Sequence, residues 1–192
     1  MGSNQIKTTP PNKRYIEMKI HRITFSPTGG TKRVAACICE GIGTDIEVTE
    51  LCLKAEACST PEIAPEDLVV IAVPVFAGRV PPLAIERLRQ IESHGARCAV
   101  AVVYGNRAYD DALLELHDVA AELGFRVIAA IGAVAEHSII RKYGHGRPDA
   151  ADEETLPGFG KQTAPKAAKR NDPTPTGHSK RTHKKKKATP PP

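Results

Sequence analysis

The chain has 192 residues, with 27 Lys or Arg against 22 Asp or Glu, a length that suits one domain with tails. The charge is segregated. Residues 161–192 hold ten basic side chains and one acidic one, and the first 160 residues hold 17 basic and 21 acidic, which excludes a uniformly basic nucleic-acid-binding domain. Trp is absent and aromatics make up 4% of the chain, against a single-strand reader built on stacking platforms. No apolar run approaches the roughly 20 residues of a membrane span, and the N-terminus lacks the apolar region of a signal peptide. There are five cysteines, an odd number, of which Cys37, Cys39 and Cys98 sit inside apolar-periodic segments; nothing reads as a disulfide framework, which points to a reducing cytoplasm.

In chain order, residues 1–16 are polar, contain Pro10-Pro11, and are expected to be disordered. Five strand-like runs follow, at 18–25, 46–51, 68–75, 98–104 and 127–135. The third is almost wholly apolar, as a strand buried on both faces must be. Helical periodicity lies between them: Val34, Cys37, Ile38 and Ile42; then Ala84, Leu88 and Ile91 behind Pro81-Pro82, which suit a first turn; then Leu113, Leu116, Ala120 and Leu123, ended by Gly124. Cys37 is expected to face the core and Cys39 is given no role. Residues 51–68 read as a loop. Alternating strands and helices predict an α/β protein with a parallel sheet. Residues 150–160 begin a last helix, but Pro157, Gly158 and Gly160 predict that it is short or missing. Residues 161–192, with six prolines and almost no large apolar side chains, bury too little surface to offset the entropy of ordering.

Ligands of open α/β sheets bind beyond the carboxyl ends of the strands, where three loops stand out. Ser26-Pro27-Thr28-Gly29-Gly30-Thr31 joins the first strand to the first helix, and its hydroxyls, glycine amides and helix N-terminus suit an anion. It is neither a P-loop nor a dinucleotide fingerprint, and a plain turn in which Thr28 or Thr31 caps the helix accounts for it equally well. Pro74-Val75-Phe76-Ala77-Gly78-Arg79-Val80-Pro81 follows the third strand. There Gly78 permits close approach of a planar ligand and Phe76 offers an apolar face. Tyr104-Gly105-Asn106-Arg107-Ala108-Tyr109-Asp110-Asp111 follows the fourth, with Asp110 or Asp111 placed to cap the next helix.

Together, and in this order, the three loops resemble those of flavodoxins over residues 18–160, and more narrowly the flavodoxin half of the flavodoxin–ferredoxin fusion family. The stretch Ala77-Gly78-Arg79-Val80-Pro81 is the most distinctive part. The resemblance implies a three-layer sandwich on a five-stranded parallel sheet of order 2-1-3-4-5. It implies flavin mononucleotide (FMN) as cofactor, with the phosphate held by Ser26, Thr28, Gly29, Gly30 and Thr31. The ring is framed by Pro74, Val75, Phe76, Ala77 and Gly78 and by Tyr104, Gly105, Asn106, Arg107, Tyr109 and Asp110. The family's flanking Trp has no counterpart, so stacking falls to Phe76, Tyr104 or Tyr109. The iron–sulfur half of the fusion is not in this sequence, and Cys37 and Cys39 do not replace it.

Such a domain tunes a flavin and carries no catalytic side chains. Arg79 and Arg107, in the ring loops, are expected to make the flavin easier to reduce. His21, His94, His117, His137 and His145 show no metal-ligand spacing. Residues 137–147 read as a basic loop near the same rim, either solvated or in contact with a redox partner; the partner that the resemblance implies is a ferredoxin-type protein or a reductase. Three other readings stand beside electron transfer: a flavin-dependent NAD(P)H reductase, a fragment whose tail Lys180–Lys187 binds polyanions, and a chain truncated or frame-shifted near Gly160.

Overall fold

The computed structural model describes residues 18–51 and 60–168. The expected disordered N-terminus, and the tail beyond residue 168, lie outside the described residues. Among the described residues nine elements follow in order: β1 (Ile20–Thr24), α1 (Gly30–Glu40), β2 (Ile46–Glu50), β3 (Leu68–Pro74), α2 (Pro82–Leu88), β4 (Arg97–Tyr104), α3 (Ala112–Glu122), β5 (Arg126–Val134) and α4 (Ala150–Ala168). The strands form one parallel sheet of order β2-β1-β3-β4-β5, as the resemblance implies. β3 is buried along its whole length, which is why its sequence shows no alternation.

The period of two along the strands sorts their side chains into two layers. Ile23, Val69, Ile71, Val73, Cys98, Val100 and Val102 meet Ala84 and Leu88 of α2 and Leu116 and Ala120 of α3. Val70, Ala72, Ala101, Val103 and Ala133 meet Val34, Ala35 and Ile38 of α1 and Leu156 of α4. Cys37 and Cys39 are both buried in this second layer. Burial raises the Cys39 thiol pKa to about 12, so it behaves as a small apolar side chain.

The last helix is present and runs past Gly160 to Ala168, with Pro157 and Pro165 inside it. Residues 161–168 thus continue the helix and are not part of the tail. Its start is secured by reciprocal bonds. Asp149 Oδ1 accepts from the Ala151 and Asp152 amides, both at 3.1 Å, and the Asp149 amide donates to Asp152 Oδ2 at 3.0 Å, in the manner of a capping box. Of the two glycines that look like breakers, Gly160 is where the helices cross, and a Cβ on Gly158 would meet nothing within 4 Å. A Cβ on Gly160 would collide with the Ile38 carbonyl, and one on Gly41 with the Pro157 backbone. Tertiary contact thereby overrides the poor local propensity.

At the amino ends of the strands, His21 is fully buried. Its Nε2 lies 3.0 Å from Asp67 Oδ2, which also accepts from the Ala64 amide at 2.8 Å, while Asp67 Oδ1 accepts from the Lys19 amide at 2.9 Å. This cluster fastens β1 to the segment before β3, on the edge opposite the candidate site. Among the described residues no helix is long and apolar enough to cross a membrane.

Candidate functional site

The carboxyl ends of β1, β3, β4 and β5 open onto a cleft of about 330 Å³, within the ~300–1,000 Å³ of small-molecule sites. Ladder hydrogen bonds continue into its walls: Phe25 N–H to Ala72 O at 3.1 Å, Val75 N–H to Val103 O at 2.8 Å, and Ala135 N–H to Tyr104 O at 3.0 Å. Four loops are therefore held side by side at the sheet edge.

The first loop brings Thr28, Gly30 and Thr31 to the cleft. Gly29 is the N-cap residue of α1, at φ 88°, a conformation favouring glycine. A Cβ there would meet nothing within 4 Å. Neither Thr28 nor Thr31 caps the helix. Instead Ser26 Oγ accepts from the Lys32 amide at 2.9 Å, so Ser26 shapes the loop and does not line the cleft. The Gly30 and Thr31 amides, first in the helix, have no intrahelical acceptor and add to the partial positive charge of the helix end.

The second loop contributes Pro74, Val75, Phe76 and Ala77. Phe76 and Arg79 exchange backbone bonds (N–H to O 2.9 Å and 3.1 Å) around Ala77 at φ 49° and Gly78 at φ 76°. This tight turn holds the Phe76 side chain 47% exposed at the mouth. Gly78 does admit a close neighbour, but that neighbour is the Asp110 carboxylate, which a Cβ at residue 78 would strike. Gly78 therefore joins two loops to one another.

The third loop contributes Tyr104 and Gly105. Tyr109 sits behind, edge-on to Tyr104 with centroids 5.2 Å apart and over Gly132 of β5. It supports the wall without lining it. Asn106 and Asp110 have φ of 64° and 42°. Asn106, Arg107 and Asp110 are exposed outside the cleft lining. Asp111 is the N-cap residue of α3 but makes no side-chain capping bond.

Arg79 has a partner on α3 that its position in the sequence does not suggest. Its Nε and Nη2 donate to Glu115 Oε2 and Oε1 at 3.0 and 2.8 Å, and the Val80 amide donates to the same Oε2 at 2.8 Å. The guanidinium is turned towards α3, away from the cleft, and its charge is offset there.

The fourth wall, Glu136, His137, Ser138 and Ile139, was missing from the set of candidate residues. The Gly-punctuated basic stretch 137–147 signalled a rim loop, but not that its first residues enter the cleft. Glu136 organises this loop. Its carboxylate accepts from the Gly146 amide at 3.0 Å and pairs with Arg141 and His145. The Gly146 bond first, and Arg141 second, bring its pKa down to about 2. Beside the cleft runs a groove of about 730 Å³ that carries Arg22, Lys32, Arg33, Arg141 and Arg147, together with Gly29. Lys32 pairs with Glu50, Arg147 with Asp152, and Arg33 donates to Pro148 O at 2.9 Å.

The residues present fit a phosphate-bearing planar ligand. An open glycine loop with two threonines and free first-turn amides stands at one end of the cleft. An apolar slot between Pro74–Ala77 and Tyr104-Gly105 stands at the other.

No family model matches the sequence, and no curated protein matches it. Solved structures do. A flavodoxin from the domain Archaea superposes with a TM-score of 0.53 at 19% identity, over 78% of this chain and 99% of that one. A flavodoxin, WrbA-like protein from Agrobacterium tumefaciens gives 0.54 at 15% identity, over 79% and 98%. A flavone reductase gives 0.53 at 14% identity, over 78% of this chain and 63% of that one. At these identities the likeness is one of fold. The chain has the flavodoxin-like α/β fold, with its sheet order and its cleft at the carboxyl edge.

Proposed function

We propose that this chain is an FMN-binding electron-transfer domain of the flavodoxin type. The observation that supports this most is the composition of the cleft at the carboxyl edge of the sheet. It joins an unpaired helix N-terminus and two threonines, suited to a dianionic phosphate, to an apolar slot carrying Phe76 and Tyr104. The solved structures of like fold include proteins named as flavodoxins.

In this reading Thr28, Gly29, Gly30 and Thr31 hold the phosphate. Ser26 acts from behind through the Lys32 amide. Pro74, Val75, Phe76, Ala77, Tyr104 and Gly105 enclose the ring and exclude water from its face. Gly78, Asn106, Arg107, Tyr109 and Asp110 shape the two ring loops. The flavin supplies the one- and two-electron chemistry, and the chain sets its orientation and surroundings. Exposure of Phe76 and of Ile139, 84% accessible, leaves the mouth open to a redox partner. The resemblance of Ala77-Gly78-Arg79-Val80-Pro81 to the flavodoxin–ferredoxin fusion family supports a ferredoxin-type iron–sulfur protein as the partner, with a reductase as the alternative. The buried thiols of Cys37, Cys39 and Cys98 suit a reducing, cytoplasmic setting. We further propose residues 17–168 as the folded unit.

The test is titration of purified, flavin-free protein with FMN, followed by visible absorbance and quenching of flavin fluorescence. A saturable complex with a perturbed flavin spectrum is expected. Protein that passes through desalting colourless after incubation with FMN overturns the reading.

A further inference from the structure

His137 opens the segment that follows β5, and three contacts define its state. Its ring Nδ1 accepts from the backbone N–H groups of Ile139 and Ile140, both at 3.1 Å. The His137 backbone amide donates to Tyr143 O at 3.0 Å. The ring also fills the space that Gly105 leaves at the end of β4. A Cβ on residue 105 would lie 2.5 Å from His137 Cδ2 and 2.7 Å from its Cβ.

The chemistry follows from the donors. Two N–H groups aimed at Nδ1 require a lone pair there, and a neutral imidazole with an acceptor at Nδ1 carries its proton on Nε2. Backbone bonds and the Gly105 contact hold the ring in place. Among the described residues Nε2 has no acceptor, and the residue lines the cleft. The loop thus holds an oriented Nε2–H donor, with no protein acceptor among the described residues, on a residue of the cleft wall. The phosphate end already has donors, from the Gly30 and Thr31 amides. His137 also borders the neighbouring groove with Thr28, Gly29 and Gly30, but its imidazole is packed against Gly105, in a loop that frames the slot.

We propose that His137, through Nε2–H, is the side-chain hydrogen-bond donor to the polar edge of the planar ring bound in this cleft. This rests on the flavin reading. His137 acts as a binding and orienting residue, and Gly105 is required because a side chain there would displace the imidazole. The two-residue device, a histidine whose tautomer is set by its own loop and a glycine that admits it, couples the ring site to residues 137–143.

The experiment compares wild type, His137→Phe and His137→Gln. Phe fills the volume without a donor, and Gln restores an N–H donor and an acceptor for the loop amides. Dissociation constants are measured for FMN and for riboflavin, which lacks the phosphate. His137→Phe is expected to weaken both by about tenfold, the worth of one hydrogen bond, and to shift the visible flavin bands. His137→Gln is expected to recover most of the affinity. Nitrogen-15 spectra of the flavin-free wild type should show the proton on Nε2.

Unchanged affinity in His137→Phe, or a loss confined to FMN, overturns the proposal. So does a proton found on Nδ1. If wild type binds neither flavin, the flavin reading itself has failed, which is distinct from a wild type that binds and a variant that does not differ.

Discussion

Arg79 and Glu115 form a two-bond pair that ties the turn after β3 to α3, with Nε to Oε2 at 3.0 Å and Nη2 to Oε1 at 2.8 Å. The pair raises the pKa of the arginine and lowers that of the carboxylate, each chiefly through the mutual hydrogen bond. A cation so paired, and directed away from the cleft, has little field left for a bound ring. Arg79→Ala is therefore expected to leave the midpoint potential of the reconstituted protein unchanged. Glu115→Ala removes the acceptor for both Arg79 and the Val80 amide and should cost about 1–3 kcal/mol in chemical denaturation. A clear fall in potential for Arg79→Ala would restore the electrostatic role that its sequence position suggests.

The crossing of α1 and α4 depends on Gly160. Its missing Cβ lets the helix backbone approach the Ile38 carbonyl and Gly41, with Leu156, Thr163 and Ala167 buried along the same side. Gly160→Ala would raise local helix propensity by about 1 kcal/mol if the position were exposed. Here the added methyl must displace a backbone, so a net loss of roughly 1–3 kcal/mol is expected. Equilibrium unfolding in urea distinguishes the two, and a gain in stability would mean that the helices are not packed at this point.

Glu136 sets an acid limit on the cleft wall. Its ordinary value is 4.5, and in the folded loop it lies at about 2. A carboxylate with a depressed folded pKa stabilises the loop above its unfolded value. That contribution falls away as pH drops from about 4.5 through about 2. The Gly146 amide, bonded to this carboxylate, should report a chemical-shift transition near pH 2, and Glu136→Gln should abolish it. A transition near 4.5 would mean that the carboxylate is free in solution.

Residues 68–75 and 98–104 announce central strands because burial on both faces leaves no polar alternation. The loops 26–31, 74–81 and 104–111 announce the candidate cleft because turns at strand ends need glycine and proline, and anion sites need hydroxyls; which of their residues line it does not show in the sequence. Those signals are local in the chain, so they are legible without a structure.

Other features depend on residues distant in sequence. Gly78 looks like a floor for a ligand until Asp110 is seen against it. Arg79 looks like a neighbour of the ring until Glu115, thirty-six residues on, turns it away. His137 looks like part of a solvated basic loop until Gly105 makes room for its ring. Pro157, Gly158 and Gly160 disfavour a helix by propensity, and α1 stabilises one over them by contact. The sequence by itself determined the order of the elements and three of the four loops that line the candidate cleft, which follow from local periodicity and turn chemistry. Only the tertiary structure decided which charges face the cleft, the fourth wall and the last helix, because partner choice and close packing are set by the distances that folding creates.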